Sequence, residues 1–209
     1  MSTSFIDSTY FIGDINIPFS DLSAESFQSE YVDIYVEEIL VLILGRDTYN
    51  SMIASLEATP GQTDTEWTRL RDGYEYTITE GGVDYTVKWE GLKNSKLKSL
   101  LAYYVYVLFQ TNNYQQNTAL GVSIAKKENA TGGDVRQLMI NAYSKCAKLV
   151  GKYPNVDEDQ DYILPADIDE ELLKKFEPSL FNFMYYNKDD YPNWIFRHPD
   201  IYGFNMWDI

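Results

Sequence analysis

The chain of 209 residues is long enough for one sizeable domain, or one domain with long arms. Its single cysteine, Cys146, excludes an internal disulfide and a cysteine-built metal site, and its single histidine, His198, excludes a His-ligated zinc site or a two-His catalytic pair. The net charge of −15 argues against a primary nucleic-acid binder, and the longest wholly apolar run, residues 100–109, is far too short to span a bilayer.

Met1 to Tyr10 is polar, with no charged start followed by an apolar run, and so does not read as a signal peptide. With one free thiol this predicts a soluble protein made in a reducing cytoplasm. The charge is uneven. Residues 1–87 hold 3 basic and 16 acidic side chains, residues 88–152 hold 10 and 3, and residues 153–209 hold 4 and 13. A basic middle between acidic flanks serves solubility, and it would also serve head-to-tail association of copies. The 18 tyrosines suit contact-making, since each joins a large apolar face to a polar tip.

In chain order, residues 1–22 read as an N-terminal arm. Phe5, Tyr10, Phe11, Ile12, Ile15, Ile17 and Phe19 follow no helical period, and FIGDINIP (residues 11–18) predicts an extended arm or short strand. A helix is expected from Ser23 or Ser26 to Leu44, carried by Phe27, Tyr31, Ile34, Tyr35 and the apolar run 39–44, and stopped by Gly45. Asp47 then caps a shorter helix over residues 48–57, and Thr59-Pro60-Gly61 breaks the chain. Residues 67–70 predict one helical turn ending at Gly73.

A β-hairpin follows over residues 74–89. Tyr74, Tyr76 and Ile78 alternate with Glu75, Thr77 and Thr79; beyond Gly81-Gly82, Val83, Tyr85, Val87 and Trp89 alternate with Asp84, Thr86 and Lys88. Period two on both sides of a Gly-Gly turn is a strong hairpin signal. Two strands alone are marginal in water, so the aromatic face must lie on the helices or on a partner.

The centre of the chain is WEGLKNSKLKSLLAYYVYVLFQT, residues 89–111. Leu97, Leu100, Leu101, Tyr104, Val105 and Leu108 fall on one helix face, and every residue from 100 to 109 is apolar or aromatic. Such a helix must be covered on every flank, with Asn94 or Ser95 as its N-cap. Residues 114–130 read as a polar loop with a short extended piece at 122–125. Thr131-Gly132-Gly133-Asp134 opens a last core helix over residues 135–150, its face being Val135, Leu138, Met139, Ala142, Tyr143, Cys146 and Leu149, and Gly151 closes it. Beyond Pro154 and the acidic stretch 157–161, short helices are expected at 170–176 and 180–186. From Asn187 the chain is broken by proline and rich in aromatics.

The fold class read from this pattern is mainly α: a small helical bundle around a central buried helix, with an inserted β-hairpin and extended N- and C-terminal arms. The divisions are residues 1–22, an N-terminal arm; 23–152, a helical domain with the hairpin at 74–89; and 153–209, an acidic linker, short helices and an aromatic C-terminal arm.

Chemical signals are sparse. His198 lies in Arg197-His198-Pro199-Asp200, no G-x-S-x-G occurs, and Cys146 sits on an apolar helix face as a small hydrophobe. Asp157-x-Asp159-x-Asp161 matches the first ligands of a calcium loop, but Tyr162 stands where that loop needs Gly and Ile168 where it needs Glu. Gly132-Gly133-Asp134 could place an anion at a helix end, yet Asp134 already supplies the negative cap. Lys126-Lys127 beside Glu128 is a weak patch. No catalytic residue, metal ligand or cofactor is assigned.

The order of pieces is nonetheless suggestive: two N-terminal helices ending in ILVLILGRDTY, then WTRLRDGYEY, the hairpin, VKWEGLKNSKLKSLLAYYVYVLF, the TxxG loop at Thr118–Gly121, and a closing amphipathic helix. Over roughly residues 27–150 this resembles the small head–tail connector proteins of tailed bacteriophages, and the W-x-G-L turn resembles those of Bacteroides phages and crAss-like phages. The resemblance implies a structural virion protein in the neck between capsid and tail, made in the host cytoplasm. It implies a ring of twelve copies beneath the portal, partnered by the portal and by other neck or tail rings. Genomic DNA would pass through the lumen without specific binding, and no membrane is involved. Interface candidates are Tyr76 and Tyr85 on the hairpin and Tyr191, Trp194, Phe196, Tyr202, Phe204 and Trp207 in a C-terminal docking arm. The alternatives are a soluble binding module that takes a peptide or small ligand on the hairpin face, and an unrecognised enzyme.

Overall fold

A computed structural model describes residues 4–17, 23–58, 65–118, 121–124, 135–151 and 178–194. The first helical rod is built from α1 (Ala24–Phe27), a π turn (Gln28–Val32) and α2 (Asp33–Leu44). Ser23 caps it by accepting from the Ser26 amide at 3.1 Å, and Gly45 ends it at φ +79°, a conformation that glycine adopts without a Cβ penalty. The chain turns at once into α3 (Arg46–Ala58) and, beyond, into α4 (Glu66–Asp72). Asp47, expected as the cap of α3, lies inside its first turn. Thr65 and Thr68 form a reciprocal capping box at the start of α4.

The hairpin forms as β1 (Tyr74–Glu80) and β2 (Val83–Trp89), antiparallel, with Tyr74 opposite Trp89 and Glu80 opposite Val83. Gly81 and Gly82 both have positive φ, as a two-residue turn of this hand requires. Beyond it, α5 (Leu100–Tyr114) is the central helix, and residues 100–107 are buried without exception. α2, α6 (Val135–Val150) and the turn at residues 13–15 all pack on it. α7 (Leu180–Tyr186) closes the core, with Leu180, Phe181, Phe183 and Met184 buried. The architecture is thus mainly α with an inserted β-hairpin.

Four further expectations need correction. The N-terminal segment is not an extended arm: Phe5, Ile6, Tyr10, Phe11, Ile15 and Ile17 are core residues, and 3-10 turns at Ser8–Tyr10 and Gly13–Ile15 separate them. Their irregular spacing fits no single period because each turn re-aims the chain so that the next apolar pair faces inward. Phe11 meets Phe27 edge-on at 4.9 Å, and Phe27 meets Phe109 at 5.2 Å, which ties this segment to α1 and α5.

The central helix starts later than its apolar spacing suggests. Leu97 sits in the preceding loop at φ +59°, and the cap is Ser99, whose Oγ accepts from the Leu101 amide at 3.1 Å. Asn94 organises that loop instead, donating to the Lys98 carbonyl at 3.0 Å and accepting from the Lys96 amide at 2.9 Å. The extended piece expected at 122–125 forms as β4 (Gly121–Ile124), but it pairs with β3 (Gln115–Thr118), expected as loop, in a second hairpin whose first strand carries no apolar alternation to announce it. On α6, Leu138 is exposed while Val150 is buried, so the core stripe is Met139, Ala142, Cys146 and Val150.

The helix expected at 170–176, the calcium-like stretch 157–161, Gly132-Gly133-Asp134, Lys126-Lys127 and His198 lie outside the described residues.

Candidate interaction surface

The hairpin is anchored at its base by a backbone knot that accounts for the W-x-G-L spacing. The Leu70 carbonyl, in α4, accepts from the Trp89 indole Nε1 at 2.9 Å and from the Leu92 amide at 3.1 Å. The Lys93 amide donates to the Arg71 carbonyl at 2.8 Å. Gly91 lets these backbones close: a Cβ there would stand 2.5 Å from the Gly73 nitrogen and 2.6 Å from the Arg71 oxygen. Trp and Gly are therefore demanded by one junction, where the end of α4 is stitched to the exit from β2, and Leu92, whose amide joins it, is buried in the core.

Above the knot the apolar face of the hairpin is covered by α7. Trp89 stacks on Phe183 at 5.8 Å and 19°, and Tyr76 contacts Phe183 at 5.8 Å and Tyr186 at 6.1 Å. Tyr191 closes the same cluster against Trp67 at 5.4 Å, its hydroxyl donating to the Glu66 carbonyl at 2.6 Å. Trp194 lies beside Phe181 at 5.7 Å, and the Thr48 hydroxyl donates to the Asn193 carbonyl at 3.1 Å.

Among the interface candidates, then, Tyr76, Tyr191 and Trp194 are core residues of their own protomer. The docking-arm reading does not hold for residues 187–194, because the aromatic base of the hairpin needed a cover and this segment supplies it. Phe196, Tyr202, Phe204 and Trp207 lie outside the described residues. Tyr85 is different. It is 41% exposed, and Val83 on the same face is 52% exposed, opposite the end of β1. The apolar face therefore runs from a sealed base to an uncovered tip, with the Thr-rich face exposed along its back.

At the base of that back face a shallow cleft of about 420 Å³ is lined by Asp72, Gly73, Tyr74, Glu75, Lys88, Glu90 and Ser95. Arg71 pairs with Asp72, and Lys96 pairs with Glu90 at 2.8 Å, holding the Glu90 carboxyl below its ordinary range. Two of the three carboxylates are thus spoken for by cations of their own chain. No group of three or more His, Cys, Asp or Glu side chains among the described residues could hold a metal ion. Cys146 is wholly enclosed, and burial pushes its thiol up to about 12, so it is a packing residue and not a nucleophile. Among the described residues no helix is long and apolar enough to cross a membrane.

Sequence reasoning misses two exposed apolar residues. Helical spacing assigns Ile34 and Leu138 to the core, yet 55% and 42% of their surfaces are open. Helical geometry carries the signal for the first, since Glu30, Glu37 and Glu38 surround Ile34 at i−4, i+3 and i+4. Leu138 stands at the margin of the stripe that Met139, Ala142 and Cys146 define. Compared with family models, with curated proteins and with solved structures, the chain has no match.

Proposed function

We propose that this chain is a structural protein of a phage neck, one subunit of a ring that joins the portal to the tail and leaves a channel for DNA. The observation that carries the reading is the hairpin. It is a two-stranded element rooted in the core by the Leu70 knot and the Phe183 cluster, with Val83 and Tyr85 exposed at its far end. A rigidly rooted arm with an apolar tip suits a subunit that must grip a neighbouring copy or an adjoining ring, where aromatic anchors fill pockets. The succession of helices, hairpin, central helix and closing helix is also the order on which the resemblance to head–tail connectors rests. Partners on this reading are further copies of the chain, twelve to a ring, together with the portal and the adjoining rings.

The test is class-averaged electron imaging of the purified protein, alone and mixed with the portal of the same phage. Rings with a central channel, or a stoichiometric collar on the portal, support the proposal. A monomer that joins no portal and forms no ring at any concentration ends it. Within rings, Tyr85→Asp should lower incorporation while leaving the monomer folded.

A further inference from the structure

The apolar face of the hairpin changes character along its length. At the base Trp89 and Tyr76 lie under Phe183 and Tyr186, whereas near the turn Val83 and Tyr85 are 52% and 41% exposed. Residues 187–194 double back along α7, Tyr191 closing on Trp67 and Trp194 on Phe181. The last described residue, Trp194, thus lies against the helix that seals this face. From there to Tyr85, which stands opposite Ile78, the way follows α7 to Tyr186, crosses to Tyr76 and runs two residues up β1. Even laid end to end, with about 10 Å between backbones at each ring contact, this is on the order of 35 Å, which ten or eleven extended residues span. Phe204 and Met206 are therefore within reach of the tip. Tyr202, Phe204 and Met206 alternate with Gly203 and Asn205, the period-two pattern of an extended segment with one apolar side. Ahead of them Arg197-His198-Pro199-Asp200 is polar, which suits a spanning stretch, and Pro199 favours extended backbone at His198.

We infer that residues 202–206 of the same chain lie on the hairpin tip, with Tyr202, Phe204 and Met206 against Val83 and Tyr85, and withhold it from neighbouring copies until assembly. The occupant is the chain's own segment because of its tether. Joined to Trp194 through residues 195–201, it meets the tip at an effective concentration roughly in the millimolar range, far above that of a second free copy. A third extended segment also supports a two-stranded element that is marginal in water on its own. Only part of each tip side chain is open to it, so the hold is light and a neighbour's pocket can displace it. The covering stands without the ring; that it restrains assembly rests on the proposed function.

The experiment is disulfide trapping in the full chain, where the native Cys146 is buried and inert. Val83→Cys is combined in turn with Tyr202→Cys, Phe204→Cys and Met206→Cys, oxidised mildly, and mapped by mass spectrometry in a mixture of isotope-labelled and unlabelled copies. At least one pair should bridge within a single chain, and that oxidised form should join rings or portal at least about tenfold less than the same variant after reduction. Bridges between labelled and unlabelled copies place the segment on a neighbour and overturn the proposal, as does failure of all three pairs to bridge. A bridge within one chain whose oxidation leaves assembly unchanged overturns the restraint. Where neither redox form nor the wild type makes a ring or a collar on the portal, the ring reading fails while the bridge still supports the covering. Should Val83→Cys not fold, Phe204→Asp in the otherwise unaltered chain is read by deuterium exchange. It should speed exchange over residues 83–87 several-fold, and unchanged exchange overturns the covering.

Discussion

Gly91 carries more of this structure than its size suggests. At φ +86°, between the Gly73 nitrogen and the Arg71 carbonyl, it has neither the dihedral freedom nor the room for a side chain. Gly91→Ala should cost about 3 kcal/mol or more, through strain at positive φ and forced separation of α4 from the β2 exit, as read by denaturant melts. A loss below about 0.5 kcal/mol, the size of an ordinary surface change, would show that the junction yields freely. Tyr76 presents the opposite case. Its ring is core, but its hydroxyl is buried with no hydrogen-bond partner among the described residues, and burial drives its ionisation well above the ordinary tyrosine range. Removing an unsatisfied hydroxyl removes a desolvation cost, so Tyr76→Phe should be neutral or stabilising by up to about 1 kcal/mol. A clear destabilisation would mean that the hydroxyl does have a partner in solution. Gly91 was legible in the sequence as part of W-x-G-L, though its reason was not: the close approach involves Gly73 and Arg71, which a local reading cannot bring together.

At the scale of elements, alternation about Gly81-Gly82 and the breaks at Gly151 and Pro178 placed the bounds of the hairpin, α6 and α7, although the stripe read for α6 wrongly took in Leu138. Periodicity failed where direction changes every few residues, as in the N-terminal turns, and where a loop residue fell in helical register by chance, as Leu97 did. The central helix shows how burial grades along one element. Leu101 is fully enclosed, whereas Leu108 is only partly buried near the end where α5 runs out of cover. Leu101→Ala should therefore cost about 2–5 kcal/mol by lost transfer and cavity, and Leu108→Ala distinctly less, about 1–2 kcal/mol. Equal losses in denaturant melts would mean that the two ends of α5 are covered alike. The same logic separates the aromatic candidates. Trp194→Ala should cost about 3–5 kcal/mol, since it empties a site beside Phe181, while Tyr85→Ala on the exposed hairpin tip should cost less than about 1 kcal/mol. Thermal melts of the two side by side distinguish a sealed base from an open tip.

For the whole molecule, segments far apart in sequence are held together by polar links as well as by the core. Tyr10 donates to the Lys93 carbonyl, Tyr191 to the Glu66 carbonyl, Thr48 to the Asn193 carbonyl, and Asp14 pairs with Lys145. None of these was visible in the sequence, because a polar residue in a loop gives no sign of its distant partner. The last pair has a testable pH signature. The hydrogen bond from Lys145 holds the Asp14 carboxyl below its ordinary value, and the same bond raises Lys145 above its own. A lowered carboxyl contributes stability above its unfolded pKa and loses it as pH falls through the folded one; a raised ammonium contributes below its unfolded pKa and loses it as pH rises through the folded one. The pair therefore acts in a window from about pH 4 to about pH 10, bounded by the ordinary aspartate and lysine values. Asp14→Asn should lower the melting temperature modestly at about pH 7, the gap closing as pH falls below the ordinary aspartate value and through the lower folded one. Because both side chains are about half exposed, added salt should shrink the gap at about pH 7 as well. A gap that persists unchanged through acid and salt would mean that the substituted amide fails for lack of shape or hydrogen bonding, and that charge does not fasten the N-terminal turn to α6.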